Sequence, residues 1–238
     1  MQQELINING IDITLFKSNR AKSINITIKP FTGVRVSVPQ SIGFKKAKRI
    51  AKDRIEWIRT HLSKMQKEEE KFTVFTGDTE FKTRSHKLNI KLADVDHPKA
   101  IVRDNKINVL VPKQYSISDT DVQKEIRRGI ERAWRKEAKN YLPDRVMQLA
   151  DKHNFKINSV SIQNAKTRWG SCSHNNNINL SLHLMRLPDY LIDYVILHEL
   201  VHTKIKNHSS EFWQLLNIVS GNAKKLDREV KDFKIQIY

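Results

Sequence analysis

Two histidines four residues apart, with a glutamate directly after the first, have types and spacing that could do chemistry: His198-Glu199-Leu200-Val201-His202. On a helix, a spacing of four puts both imidazoles on one face, one turn apart, within reach of one metal ion. Imidazole nitrogen is a good ligand for zinc, and a zinc with three protein ligands keeps a fourth position for water. The metal acidifies that water, and a carboxylate at Glu199 is placed to take the proton. The expected chemistry is therefore hydrolysis, with Zn2+ as cofactor and Glu199 as general base. The bland alternative is a pair of packed core histidines, so the surroundings must decide.

Pro188-Asp189 suits the start of a helix, a proline in the first turn and an acid at the positive end of the dipole. Leu191, Ile192, Val195, Ile196 and Leu197 then bury that helix up to the motif. His208 follows His202 by six residues. A chain leaving the helix over 204–207 can turn back and present it as a third ligand, although a polar loop residue is the alternative. Ser209 or Ser210 can cap a next helix, with Glu211 in its first turn and Phe212, Leu215, Leu216 and Val219 on its apolar face. Glu211 and Glu229 are rival third ligands, and His208 is preferred over both. The His202-to-His208 spacing equals that of metzincins, but Ile205 stands at their glycine position and no Met-turn follows.

Ahead of the helix runs Lys166-Thr167-Arg168-Trp169-Gly170-Ser171-Cys172-Ser173. Val160 and Ile162 precede it as one strand; Ile178, Leu180 and Leu182 follow as another, with a turn at Asn175-Asn176-Asn177. These predict a hairpin beside the metal helix, and an extended substrate can lie along such an edge. Arg168 is placed to hold an anionic group or a developing oxyanion, or else is a salt-bridged structural arginine. Trp169 reads as core. Cys172 reads as a buried, inert thiol, with an approach to the metal as the alternative.

These segments resemble a known family. Arg168-Trp169-Gly170-Ser171-Cys172, Pro188, Asp193-Tyr194-Val195, the HELVH motif, His208-Ser209 and Phe212-Trp213 are similar to the pattern of the YgjP-like metallopeptidases. The likeness covers about residues 165–213. The N-terminal half is similar in outline, with strands, a turn glycine, a Val-Pro pair and a basic helix carrying Glu56-Trp57-Ile58. The resemblance implies a zincin-like C-terminal half, His198, His202 and His208 as ligands, and Glu199 as catalytic carboxylate. It leaves the substrate open, since members are described as metal-dependent hydrolases. The related SprT-like proteases act on DNA-bound proteins, which by analogy would suit a basic chain.

Other elements must position this site. In residues 1–40, Ile11, Ile13 and Leu15, then Ile24, Ile26 and Ile28, then Val34, Val36 and Val38 alternate with polar residues, the period of half-buried strands. A turn is expected from Pro30 to Gly33, and Pro39 ends the third strand. Over 41–70 the period becomes helical, with Ala47, Ala51, Ile55, Ile58, Leu62 and Met65 on one face and Ser41 as cap. Lys45, Lys46, Lys48, Arg49, Lys52, Arg54 and Arg59 make the other face basic, and the run Glu68 to Lys71 reads as the exposed end. Strands return over 72–112, from Phe72, Val74 and Phe75 through a turn at Thr76-Gly77-Asp78, to a hairpin turn at Asp104-Asn105. Residues 117–153 are helical, and Pro143 should kink or split that helix. The expected class is α+β: a β-rich N-terminal region, 1–114, with a basic helix over 42–70, followed by a zincin-like helical region, 115–238, with a small antiparallel hairpin.

The composition narrows the function classes. The chain has 238 residues, enough for a core without disulfides. A single cysteine permits no internal disulfide, which fits a reducing cytoplasm. No apolar run approaches the roughly 20 residues of a membrane span, and the first residues do not read as a signal peptide. Forty-three Lys and Arg against 26 Asp and Glu give +17, which favours an anionic partner such as nucleic acid, nucleotide, anionic lipid or acidic protein, with a merely Lys-rich composition as the alternative. Three functions are thus open: a cytoplasmic zinc peptidase, which leads; a metal-dependent nucleotide or phosphate-ester hydrolase; and a nucleic-acid-binding protein with a structural zinc.

Overall fold

The computed structural model describes residues 2–29, 33–69 and 73–233, with side chains undescribed over 66–69. Residues 30–32, Phe72 and the end of the run Glu68 to Lys71 lie outside the described residues. By internal contacts the chain divides into two compact units, 1–74 and 75–237. The class is α+β, with three small sheets and six α-helices among the described residues.

In the first unit, strands β1 (Gln3–Ile8) and β2 (Ile11–Ser18) form a hairpin across Asn9-Gly10, both at positive φ (52° and 81°). That is the two-residue turn whose twist matches the strands, and Asn-Gly is its preferred sequence. With β3 (Asn25–Lys29) and β4 (Gly33–Pro39) they make a sheet of order β1-β2-β4-β3, with β2 parallel to β4. The alternating residues Ile13, Leu15, Val34, Val36 and Val38 point to one face and are buried there.

The helix expected as one piece over 42–70 is two, α1 (Phe44–Asp53) and α2 (Ile55–Glu69), separated at Arg54, whose backbone leaves the helical conformation. Ile55 and Ile58 nevertheless share one core with Ala47 and Ala51, as the continuous spacing implies. Gly43, not Ser41, is the N-cap. A turn from Pro39 to Ile42 uses Ser41 first, and the Lys17 ammonium holds that turn by the carbonyls of Pro39, Gln40 and Ile42. Part of the basic face is neutralised locally, Lys48 by Glu4 at 2.5 Å and Arg59 by Glu56 at 3.7 Å.

In the second unit, β5 (Lys87–Ala93), β6 (Lys99–Arg103) and β7 (Lys106–Pro112) form a sheet of order β5-β7-β6. Asp104 and Asn105, both at positive φ, make the expected hairpin turn. No strand forms at Val74-Phe75. The Gln123 amide takes the place of a strand partner, accepting from Phe75 N–H (3.0 Å) and donating to Phe75 C=O (2.7 Å). Helix α3 (Thr120–Lys152) runs unbroken through Pro143. The bond Pro143 cannot make would have gone to the carbonyl of Lys139, on an exposed turn where water can satisfy it.

Strands β8 (Ser159–Gln163), β9 (Gly170–Cys172) and β10 (Asn177–Ser181) form the third sheet, of order β8-β10-β9. The two strands expected as a hairpin, β8 and β10, are parallel, and the antiparallel hairpin is β9–β10. The short β9 is therefore an edge. Leu182 lies beyond the strand in a 3-10 turn, Leu182–Arg186, capped by the Ser181 hydroxyl. Then come α4 (Asp189–Val201), α5 (Ser210–Ser220) and α6 (Ala223–Asp232). Helix α4 is buried on nearly every side through Leu191, Ile192, Val195, Ile196, Leu197, Leu200 and Val201, as a helix apolar all round must be. Arg145 of α3 grips its Asp193 with two bonds, 2.7 and 2.6 Å, and Tyr190 donates to Glu229 of α6 at 3.0 Å. Among the described residues no helix is long and apolar enough to cross a membrane.

Gly129 sets how closely α3 approaches its sheet. A Cβ there would stand 2.8 Å from Ile107 Cγ2 and 2.9 Å from the Ala100 Cβ. Gly129→Val should therefore cost about 2 kcal/mol by overpacking, a fall in Tm of roughly 4–8 °C. An unchanged melting curve would show that this contact does not limit the packing.

Candidate metal centre

The three predicted histidines come together at the C-terminal end of α4. His198 lies in its last turn and His202 is the C-cap residue, still helical at φ −64° and ψ −12°. The chain then tightens. Thr203 N–H bonds Leu200 C=O, while the amides of Lys204 and Ile205 both bond Val201 C=O, each at 3.0 Å. These bonds use the carbonyls left at a helix end and turn the chain back, so that His208 faces its partners. The Asn207 side chain accepts from Ser209 N–H at 3.2 Å. Ser209 is the N-cap of α5, but its own side chain makes no capping bond.

His208 Nε2 lies 3.1 Å from His198 Nε2 and 3.2 Å from His202 Nε2. Tetrahedral nitrogen ligands at about 2.0–2.1 Å from one zinc stand roughly 3.3 Å apart, so the trio fits one ion closely. His202 Nδ1 donates to Ile205 C=O at 3.0 Å, which leaves its Nε2 as the lone pair a metal needs. Burial, with the neighbouring His202 and His208 charges, pushes His198 down to about 4. Burial likewise lowers His202. Both are thus neutral near pH 7, the form that ligates. Among the described residues this is the one group of three side chains placed to hold an ion.

Phe212, the first buried residue of α5, is the floor of the site. Its ring centroid lies 4.9, 4.5 and 4.7 Å from those of His198, His202 and His208, and it is fully buried. It fixes the three rings by packing and excludes water from beneath them.

Glu199, next to His198 in α4, lies against β9. It is 6% exposed, and its carboxylate accepts the amide of Cys172. Burial pushes it up to about 7, opposed by the Arg168 charge and by that amide bond. Gly170 makes room: a Cβ there would stand 2.8 Å from Glu199 Cγ and Oε1. A buried carboxylate with a pKa near neutrality beside three convergent imidazoles is suited to taking and returning a proton.

Arg168 is exposed, near enough to act on the Glu199 charge, and it makes no ion pair among the described residues. Trp169 is half-buried, not core, because it leads into an edge strand. Cys172 is half-buried, bonds Ser173 C=O, and its thiol is pushed up by burial. Glu211 is exposed on α5, and Glu229 is engaged by Tyr190 and Lys225; neither joins the histidines. Sequence reasoning had Phe212 as a helix-burying residue and part of the family likeness, without a place at the site, and assigned no role to the Ile205 carbonyl or Lys206. Gly170 carried a signal, a glycine directly before Ser-Cys in an edge strand, where a missing Cβ marks close approach.

A family model described as YgjP-like, metallopeptidase domain, matches residues 22–233. No curated protein matches the chain in sequence. Among solved structures, the metallopeptidase zymogen abylysin of Pyrococcus abyssi is 26% identical, over 38% of this chain and 92% of that one, with a TM-score of 0.34. The metallopeptidase zymogen jannalysin of Methanocaldococcus jannaschii is 26% identical, over 37% of this chain and 92% of that one, with a TM-score of 0.33.

Phe212→Leu keeps an apolar side chain of similar reach but removes the shared ring contact. Competition with a chelator should show zinc affinity reduced on the order of tenfold, as when other supports of ligand orientation are lost. Unchanged affinity would mean that the helix ends alone hold the histidines in place.

Proposed function

The chain belongs to the YgjP-like metallopeptidase family and is a metal-dependent hydrolase, and on that premise we propose that it is a zinc peptidase in which His198, His202 and His208 hold the metal and Glu199 is the general base. The observation that carries this reading is the approach of three imidazole nitrogens to 3.1 and 3.2 Å beside a buried carboxylate. The all-nitrogen donor set suits zinc.

When bound, zinc supplies Lewis acidity toward a substrate carbonyl and toward water. The chain's own groups do the rest. Ile205 keeps His202 in the ligating tautomer. Glu199 accepts a proton from the attacking water and delivers it to the leaving amine nitrogen as the amide C–N bond breaks. A carboxylate held near pH 7 can do both. The Cys172 amide aims it, and Arg168 favours its ionised form.

The substrate backbone pairs with the outer edge of β9. Ser171 faces Asn179 in the β9–β10 ladder, and the bonds of Ser181 N–H to Trp169 C=O and Ser173 N–H to Asn177 C=O flank it. In that alternation Gly170 and Cys172 turn their backbone groups outward. The Cys172 amide belongs to Glu199, so the Gly170 backbone is what a peptide meets. An edge of this kind recognises an extended amide chain, which favours peptide over phosphate ester. A purely structural zinc is disfavoured too, since such sites are closed by four ligands. The single cysteine fits a cytoplasmic, reducing location.

Glu199→Gln should keep zinc at wild-type stoichiometry and lower kcat by about 100- to 10,000-fold. Metal analysis with a peptide assay checks both, and undiminished turnover would remove Glu199 from the mechanism. Gly170→Ala forces Glu199 aside without touching a ligand. It should likewise retain zinc and lose at least about 100-fold in kcat; full activity would show that Glu199 need not be held against β9.

A further inference from the structure

Several cations of the second unit are paired with carboxylates. Arg145 is held by Asp193 and Arg84 by Asp189, Arg128 and Arg132 share Glu125, and Lys166 meets Glu131. Two cations beside the edge strand differ. Lys206 lies in the loop between His202 and His208. Its ammonium donates to Ser173 C=O at 3.0 Å and Asn176 Oδ1 at 2.6 Å, and stands 3.8 Å from Cys172 Sγ. All three partners are neutral. Arg168, two residues before β9, is exposed and meets no carboxylate at ion-pair distance among the described residues. The strand that would carry a peptide is thus bracketed by two cations without an ion-pair partner among the described residues, Arg168 acting on the Glu199 charge only through space.

From these charges we propose that the site selects acidic peptides, with Lys206 and Arg168 meeting carboxylates toward opposite ends of the bound segment; this rests on the peptidase reading above. Lys206 is already held by two bonds, so it loses little freedom when a carboxylate arrives. An extended chain rises about 3.3 Å per residue, so the stretch from Arg168 to Ser173 spans roughly 16 Å. The matching peptide carries acidic side chains about five positions apart.

The test compares two such peptides, one with Glu at both outer positions and one with Gln. Binding is read by fluorescence anisotropy on zinc-loaded Glu199→Gln protein, which does not turn over. The Glu peptide should bind about two- to fivefold tighter per charge, an advantage that shrinks with salt. Lys206→Gln should remove the advantage of one end and Arg168→Gln that of the other. Lys206→Arg, at unchanged zinc content, should keep it. Lys139→Gln, which removes an exposed charge on α3, should leave it intact and so separates a local effect from the net charge. In the wild-type protein the same preference should appear in KM, with kcat little changed. Equal affinity for the two peptides, or an advantage that Lys139→Gln erodes as much as Lys206→Gln does, overturns the proposal. If acidic binding persists but neither peptide is cleaved, the peptidase reading fails and the acidic selection stands. Cleavage of both peptides alike, with equal binding, does the reverse.

Discussion

Three imidazoles that turn nitrogen lone pairs toward one point, His208 Nε2 standing 3.1 and 3.2 Å from those of His198 and His202, do not attract one another. Their lone pairs converge, and without a cation between them the arrangement must be enforced by the rest of the chain. The surrounding structure is the means of that enforcement. Helix α4 is buried on nearly every side, which leaves little freedom to rotate and fixes His198 and His202 on one line. The tightened end of the helix returns His208, and the same turn supplies the Ile205 carbonyl that fixes the tautomer of His202. Phe212 then touches all three rings at once. On the proposed reading, energy spent in folding to bring the three histidines together would be recovered on binding a metal.

Glu199 adds a second unfavourable group in the same turn of helix. A carboxylate at 6% exposure gives up most of its hydration, and the Arg168 charge with one amide compensates only in part. The result is a group pushed up to about 7. The cost of burial and the ability to exchange a proton near neutrality are one property, and the edge strand creates both. Gly170 admits the side chain, Cys172 bonds it, and the outer rim of the strand is left for a peptide. The site is therefore as much a property of β9 as of the histidine helix.

The grouping of the three histidines was legible because it is local. Spacings of four and six residues place the histidines relative to a helix and its end, and the apolar run from Leu191 to Leu197 makes the helix itself evident. Features that depend on distant partners were not legible. Alternation marks residues 159–163 and 177–181 as strands, but nothing in either segment says that they pair in parallel while the three-residue β9 takes the antiparallel place. Phe75 keeps its backbone satisfied through the side chain of Gln123, forty-eight residues on, so a strand-like pattern yields no strand. Pro143 reads as a breaker by rule, yet it sits where the lost bond faces water. The Asn9-Gly10 hairpin, by contrast, is spelled out in two residues and could have been predicted.

The account turns on one ion held by three imidazoles with one position left over. X-ray absorption at the zinc edge of the zinc-loaded protein reads that directly. The account predicts three imidazole nitrogens and one further light-atom donor at about 2.0–2.1 Å, with no sulfur. A sulfur from Cys172 at about 2.3 Å, or a shell with fewer than three imidazoles, would contradict it.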